Sequence, residues 1–176
     1  MDKQRKLRLA TVTAMFAALI IITTAYIKIP APLGYIHIGD SMVYLSAAIL
    51  PGPFGFFAAA IGGAMADLLA GYPHWAIPTA IIKALNVLPF FLIKLLMTDR
   101  KKLEKIIHLQ NLLMLIPTTL VTLGGYFVAN ALMYDAGAAI AELLPNLIQA
   151  LASGVLFVAV GLGLDAVRFN SKVLRQ

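Results

Sequence analysis

The sequence predicts an all-α integral membrane protein, in which six transmembrane helices form one bundle and residues 1–176 form a single domain. Its 176 residues are 61% apolar and 12% charged, whereas soluble domains average about 45–50% apolar and about 25% charged residues. The apolar residues also fall into runs close to the roughly 20 residues that a helix needs to cross a bilayer. Cysteine is absent, which excludes disulfides, thiolate nucleophiles and cysteine metal clusters.

The six apolar runs comprise residues 9–29, 38–50, 54–71, 75–97, 109–133 and 143–167. The first run follows basic residues as a signal peptide does, but it is longer than the usual cleaved apolar region of about 7–15 residues. We therefore expect a retained helix. The second run is too short to span a bilayer upright, and it continues through Pro51-Gly52-Pro53 into the third. Residues 38–71 are predicted to form a tight re-entering pair, with a five-span count as the alternative.

Basic residues predict the orientation, because lysine and arginine concentrate in short cytoplasmic loops. Six spans place the N-terminal segment, the loop 98–108 and the C-terminal tail on one side, so both termini are predicted to be cytoplasmic. These segments hold 11 of the 14 basic residues: Lys3, Arg5, Lys6, Arg8, Arg100, Lys101, Lys102, Lys105, Arg168, Lys172 and Arg175. Since the charges border membrane spans, no nucleic-acid partner is expected.

Polar side chains within apolar runs are costly in hydrocarbon, so they indicate the bundle interior and candidate sites. On three runs they recur at helical spacing and so share one face of each predicted helix. These stripes are Thr79, Lys83 and Asn86; Tyr126, Asn130 and Tyr134; and Glu142, Asn146, Gln149 and Ser153. All three occupy the external halves of their helices, which predicts an outward-facing polar pocket closed below. The alternative is that the amides only hydrogen-bond between helices.

Charged residues in or beside these runs are further candidates. Lys83 is the strongest, because a buried ammonium requires a partner such as Asp67, Glu142 or a ligand. Asp67 lies near the outer end of its run, where the headgroup region is the alternative environment. Asp40 either begins the second helix as its N-cap or flanks the mouth of the pocket together with His37.

Two classes of site are not expected. The histidines lack a recognisable metal-ligand spacing, and no glycine-rich phosphate loop is present. We therefore expect this chain to bind no metal or cofactor and to hydrolyse no ATP by itself.

Two stripes of small residues would let another helix approach closely. We expect the stripe on the third run to pack inside the bundle. The first run begins at the predicted cytoplasmic end. We expect its stripe either to pack inside the bundle or to dock a membrane-embedded partner that is linked to a cytoplasmic motor. The third-run stripe is Gly55, Ala59 and Gly63, and the first-run stripe is Ala10, Ala14 and Ala18.

Five features occur together along the chain: the basic N-terminal segment, the Ala10-x-x-x-Ala14-x-x-x-Ala18 helix, His37-Ile-Gly-Asp40, Leu50-Pro-Gly-Pro-Phe-Gly55 and Gly62-Gly-Ala-Met-Ala-Asp67. In this combination, over essentially the whole chain, the sequence resembles the substrate-binding S component of energy-coupling factor (ECF) vitamin transporters. The His-Ile-Gly-Asp stretch is most similar to that of members handling hydroxymethylpyrimidine or pyridoxine.

The resemblance implies a subunit in the plasma membrane of a prokaryote that captures a vitamin from outside, with the first loop as a lid. It would associate with a transmembrane T component and two cytoplasmic ATPases that use ATP, and tilt in the membrane to release substrate inside. Ala10, Ala14 and Ala18 would form its docking helix. Family members bind substrate with the external loops and the outer halves of the last three spans, where the polar stripes also lie.

We therefore expect a non-enzymatic binding subunit for a small aromatic vitamin or precursor. The single tryptophan, Trp75, and Lys83 in the pocket argue against a cationic ligand such as thiamine. The predicted binding residues are Tyr35, His37, Asp40, Asp67, Lys83, Asn86, Tyr126, Asn130, Tyr134, Glu142, Asn146 and Gln149. One alternative is a self-sufficient channel or secondary transporter. Another is an intramembrane enzyme using Asp67 or His37 as a base, although no complete constellation of acid, base and oxyanion donor is visible.

Overall fold

The fold is a helical bundle with one β-hairpin, seen in a computed structural model that describes residues 3–31, 34–97 and 105–170. Over these residues the elements are α1 (Lys3–Ala25), β1 (Lys28–Ala31), β2 (Gly34–His37), α2 (Asp40–Ile49), α3 (Phe54–Ala70), α4 (Ala76–Leu96), α5 (Leu109–Leu113), α6 (Leu115–Met133), α7 (Ala136–Ala141) and α8 (Leu143–Ala166). A 3-10 turn, Pro73–Trp75, precedes α4.

Among the residues that the structure describes, four helical stretches are long and apolar enough to cross a membrane: Lys3–Ala25, Pro73–Leu96, Leu109–Met133 and Ala136–Ala166. α3 is a shorter apolar helix. The last stretch is preceded by Asp135, whose side chain accepts a hydrogen bond from the Ala138 N–H at 2.8 Å and so caps α7. These stretches make the chain a multi-pass membrane protein.

The first helix differs from its predicted range, because α1 starts at Lys3 and ends at Ala25 rather than running over residues 9–29. The chain then enters the β-hairpin, in which Ile29 lies opposite Ile36. A residue before proline is biased toward extended backbone, and Ile29 precedes Pro30. The last apolar residue of the first run, Ile29, thus belongs to a strand, and Ile27 lies in the bend before it. The hairpin fills the loop expected after the first span.

α2 lies at the centre of the bundle and is too short to span it. Ten residues rise about 15 Å, and every residue of α2 except Met42 is buried. The helix packs against α1, α3, α4 and α8. At its C-terminal end, Lys94 Nζ donates hydrogen bonds to the carbonyls of Ala47 (2.5 Å) and Leu50 (3.1 Å), which satisfies carbonyls that the helix leaves free.

Small residues of α3 permit its close approach to α1 and α4. A Cβ added at Gly62 would lie 2.8 Å from Ile20 Cβ of α1, and one at Gly63 would lie 2.9 Å from Lys83 Cγ of α4. Gly55, Ala59 and Gly63 are all buried. The predicted internal packing of this stripe is confirmed.

The stripe on α1 faces away from the core. Ala10, Ala14 and Ala18 are exposed, whereas Phe16 and Ile20 of the same helix are 2% and 0% exposed. Within the described part of the chain, no neighbouring helix covers the three alanines. Bundle packing, one of the two expectations for this stripe, is therefore wrong.

Three connections meet at one end of the bundle, called the hairpin end below. The ring of Tyr35 lies 5.3 Å from that of Tyr72, and the ring of Trp75 lies 6.3 Å from that of Tyr134. The α2–α3 turn and Lys94 lie at the opposite end. Part of the charge pattern used for orientation lies outside the described residues: Arg100, Lys101, Lys102, Lys172 and Arg175.

Candidate functional site

A cavity of about 60 Å³ lies at the hairpin end, between the hairpin and α3, α4, α6 and α8. A space of this size holds several water molecules. Eight of the twelve predicted binding residues line it, together with three that were not predicted. The lining residues are Tyr35, His37, Asp67, Tyr72, Trp75, Thr79, Tyr126, Asn130, Glu142, Asn146 and Gln149.

Aromatic rings form one wall of the cavity. Trp75 lies 5.8 Å from Tyr126, and Tyr72 lies 5.3 Å from Tyr35. Tyr72 and Trp75 were missed because aromatic residues at helix ends are also typical of the membrane interface. The third missed residue, Thr79, belonged to the predicted α4 stripe, and that spacing was the signal that could have found it.

Tyr35 ties the hairpin to α3. Its hydroxyl donates a hydrogen bond to Asp67 Oδ1 at 2.9 Å. Burial, reinforced by the negative charge of Asp67, holds the pKa of Tyr35 well above its usual range, so the phenol keeps its proton and remains a donor. Asp67 is only 6% exposed. Its carboxylate is therefore buried in the cavity wall rather than exposed on the outside of the bundle.

Gln149 connects the hairpin to a deeper charged pair. Its Oε1 accepts from the backbone N–H of His37 at 3.3 Å, and its Nε2 donates to Asp40 Oδ2 at 2.9 Å. Asp40 is the first residue of α2, and its side chain makes no cap hydrogen bond. The N-cap interpretation of Asp40 is therefore wrong, because the carboxylate points into this network.

Lys83 forms a salt bridge with Asp40, and both side chains are fully buried. The predicted partners, Asp67 and Glu142, are not the ones it binds. Lys83 Nζ also lies 5.2 Å from the centre of the Tyr126 ring, and Lys83 itself does not line the cavity. Since its charge is matched by Asp40, Lys83 gives no reason to exclude a cationic ligand. Of the two grounds for that expectation, only the single tryptophan remains.

Below the charged pair the bundle is closed by hydrogen bonds and aromatic packing. Asn86 Nδ2 donates to Thr122 Oγ1 at 3.0 Å, so this amide joins α4 to α6 as the alternative interpretation expected. The rings of Tyr44, Phe90 and Phe157 lie 6.0–6.3 Å from one another. All three are at most 1% exposed, and they form the floor of the site.

Tyr134 lies beside the cavity rather than in its lining. It is 46% exposed, and its hydroxyl is 3.2 Å from His74 Nε2. Of the predicted binding residues, Asp40, Lys83 and Asn86 thus lie deeper than the cavity wall, and Tyr134 lies beside its rim.

His37 predicts a pH dependence of stability. Its Nδ1 accepts a hydrogen bond from the Gly39 N–H at 3.1 Å, and burial followed by the nearby positive charge of Lys83 lowers its pKa from 6.5 to about 3. Between these two pKa values, His37 therefore binds a proton in the unfolded chain but not in the folded chain. We expect stability to fall by about 2 kcal/mol between pH 7 and pH 5.

Thermal unfolding at the two pH values measures this effect. His37→Asn keeps a short acceptor for the Gly39 N–H but does not titrate, so it should unfold with a smaller pH dependence than the parent. An equal dependence in both proteins would show that another group causes it.

Comparisons with known proteins agree with this architecture. The family model for the ECF-type riboflavin transporter S component matches residues 4–166. A relative from Pyrococcus woesei, described as an uncharacterized protein in the gap 3′ region, is 33% identical over 145 residues, which cover 81% of this chain and 90% of the relative. The family comprises transporter subunits rather than enzymes, and it implies association with a T component and ATPases. The chain thus belongs to the S-component family of ECF-type transporters, the membrane-embedded subunits that bind vitamin-type substrates.

Proposed function

We propose that the cavity at the hairpin end captures a small vitamin or precursor with one planar heteroaromatic ring, of the pyridoxine or hydroxymethylpyrimidine type. The observation that carries this proposal is the lining of the cavity, where an aromatic wall faces the amides of Asn130, Asn146 and Gln149. Planar rings stack on aromatic side chains, while a few placed polar groups fix the orientation of a ligand.

The size of the cavity favours a single ring. Its volume of about 60 Å³ is well below the roughly 300–1,000 Å³ of pockets that hold drug-sized ligands, so any vitamin requires side chains or the hairpin to move. A single ring requires a smaller displacement than a three-ring flavin. Riboflavin is the second candidate, because the matching family model is described by that vitamin.

We further propose that the hairpin end faces outward in the plasma membrane of a prokaryote. The basic residues Lys3, Arg5 and Lys6 lie at the start of α1, whose other end leads into the hairpin, and basic residues favour the cytoplasmic side. The hairpin then acts as the lid. It is held by two hydrogen bonds, from Tyr35 to Asp67 and from the His37 backbone to Gln149.

Transport is proposed to require the T component and the two ATPases, which would use ATP. The fully buried floor of Tyr44, Phe90 and Phe157 argues against a self-sufficient channel, because three packed aromatic rings close the described bundle below the cavity. Captured substrate can leave on that side only after a rearrangement. The coupling module would supply the energy for it.

Calorimetric titration of the purified protein with pyridoxine, hydroxymethylpyrimidine and riboflavin tests the proposal. At least one single-ring compound should bind saturably. Asn146→Ala should weaken that binding about two- to tenfold, since a lost hydrogen bond is worth roughly 0.5–1.5 kcal/mol. The matched control is Gln110→Ala, an amide at the opposite end whose Oε1 lies 3.0 Å from His108 Nδ1, and it should leave affinity unchanged. Saturation by riboflavin alone would contradict the single-ring proposal, and binding of none would contradict capture in this cavity.

A further inference from the structure

Two buried acceptor atoms in the cavity wall accept no hydrogen bond from any residue that the structure describes. The Thr79 hydroxyl stabilises the Asp67 carboxylate, and Asp67 Oδ1 accepts from Tyr35. No described residue, however, donates to Asp67 Oδ2 with the distance and angles of a hydrogen bond. Asn130 Nδ2 donates to the Tyr126 carbonyl at 2.9 Å, which leaves Asn130 Oδ1 unpaired. Asp67 is 6% and Asn130 is 2% exposed. A buried acceptor without a donor is unfavourable because it has lost its hydrogen bonds to water, so both atoms favour a ligand that brings donors.

The charges around the cavity also favour a ligand that donates hydrogen bonds. Two carboxylates, Asp67 and Glu142, line it, and among the lining residues that the structure describes there is no lysine or arginine. The nearest deep cation, Lys83, is bound to Asp40. Lys28 is exposed on the hairpin, with its Nζ 4.7 Å from the centre of the Tyr35 ring. Solvent screens such a charge more strongly than buried ones.

We propose that this cavity selects ligands that carry an amino or other N–H donor, which Asp67 Oδ2 and Asn130 Oδ1 accept, and that it rejects ligands bearing a phosphate or carboxylate. The inference rests on the proposed function, namely that a planar vitamin occupies the cavity. It adds the chemical class of that vitamin: the free, unphosphorylated form, with an aminated form bound more tightly than its hydroxyl counterpart.

A hydroxyl group and an ammonium group both donate a hydrogen bond to the Asp67 carboxylate, but only the ammonium group adds an opposite charge, whose attraction is strong at low dielectric. Because desolvation of the ammonium group offsets part of that attraction, we expect it to bind about tenfold more tightly than a hydroxyl group in the same position. An anion placed against Asp67 meets like charge at low dielectric and leaves both acceptors unpaired. We expect it to bind at least about a hundredfold more weakly than the neutral compound.

Matched ligand series test the inference by calorimetric titration. On the pyridine scaffold, pyridoxine, pyridoxamine and 4-pyridoxic acid differ in one substituent, which is a hydroxymethyl, an aminomethyl or a carboxylate group. Pyridoxine, hydroxymethylpyrimidine and riboflavin are each also compared with their own phosphate ester. The expected order is amine, then alcohol, then both anions, and the phosphate should be disfavoured on every scaffold that binds.

Two variants connect this order to Asp67. Asp67→Asn keeps the shape of the side chain but removes its charge, so the preference for pyridoxamine over pyridoxine should disappear and the penalty for the anions should shrink about tenfold. The control is Asp135→Asn, which removes one exposed charge at the hairpin end, outside the cavity lining, and asparagine also caps helices. In Asp135→Asn, the affinity ratio of pyridoxamine to pyridoxine and that of the neutral compounds to the anions should both be unchanged. Ratios between ligands on one protein do not depend on the fraction of protein that is folded.

The outcomes separate the inference from the proposed function. If a neutral compound binds but its phosphate or carboxylate form binds equally or more tightly, the inference is overturned and capture stands. An equal change of the ratios in Asp135→Asn and Asp67→Asn would also overturn it, since the selection would then come from general charge at this end. If no neutral compound binds at all, the proposed function is contradicted and the inference with it.

Discussion

Replacing Lys83 by methionine is expected to lower the free energy of unfolding by about 3–5 kcal/mol, the usual cost of breaking a buried ion pair on one side. Lys83 and Asp40 are both fully buried. In the variant, the Asp40 carboxylate would keep only the hydrogen bond from Gln149. An ionised carboxylate with one donor in a low-dielectric interior is strongly unfavourable.

The double variant Lys83→Met/Asp40→Asn separates the charge effect from packing. It removes both charges while leaving an amide oxygen that can still accept from Gln149, so most of the lost stability should return. Thermal unfolding in detergent measures all three proteins. The control is Lys105→Met, an exposed lysine, for which a change within about 0.5 kcal/mol is expected. A double variant as unstable as Lys83→Met would show that lost packing around the lysine stem, and not the unpaired carboxylate, causes the effect.

Introducing tryptophan at Ala14 is expected to abolish coupled uptake while leaving vitamin binding intact. Ala10, Ala14 and Ala18 form an exposed stripe on α1, and small residues allow two membrane helices to pack closely. An indole in the middle of this surface would hold a docking helix away. Because no side chain of the described bundle covers the stripe, folding and capture should not change.

Co-purification with the coupling module and uptake into proteoliposomes measure this effect. The matched control is Val155→Trp on α8, which is 73% exposed and lies away from the stripe. It should co-purify and transport normally. Normal assembly and uptake by Ala14→Trp would show that the stripe is not the docking surface. Uptake by vesicles that contain only this chain would contradict the requirement for partners.

Local periodicity was sufficient for the long helices and for most of the cavity lining. The stripes of α6 and α8 placed Asn130, Asn146 and Gln149 correctly, because residues at i, i+4 and i+7 share a helical face. Which stripe residue meets a ligand and which meets another helix depends on neighbours that spacing does not encode. Asn86 illustrates this, since its partner Thr122 lies on a different helix.

Long-range pairing explains what the sequence could not predict. Asp40 and Lys83 are 43 positions apart, and Asp40 has an equally plausible local role at the start of a helix. The sequence predicts that the helix continues to residue 29 because Ile27 and Ile29 extend an apolar run. Only pairing with β2 identifies Ile29 as extended chain, and Ile27 lies in the bend before β1. Trp75 and Tyr72 have the composition of an interfacial belt, and their position against α6 and the hairpin is a property of the assembled bundle.

The central claim is that the cavity at the hairpin end binds a planar vitamin, and the fluorescence of Trp75 tests it most directly. Trp75 is the single tryptophan of the chain, it is 8% exposed, and it lines the cavity. Titration of the purified protein with pyridoxine or hydroxymethylpyrimidine should change its emission saturably, and Asn146→Ala should shift that curve to higher concentration. Saturable binding detected by calorimetry with no change in Trp75 emission would place the ligand elsewhere and contradict the account.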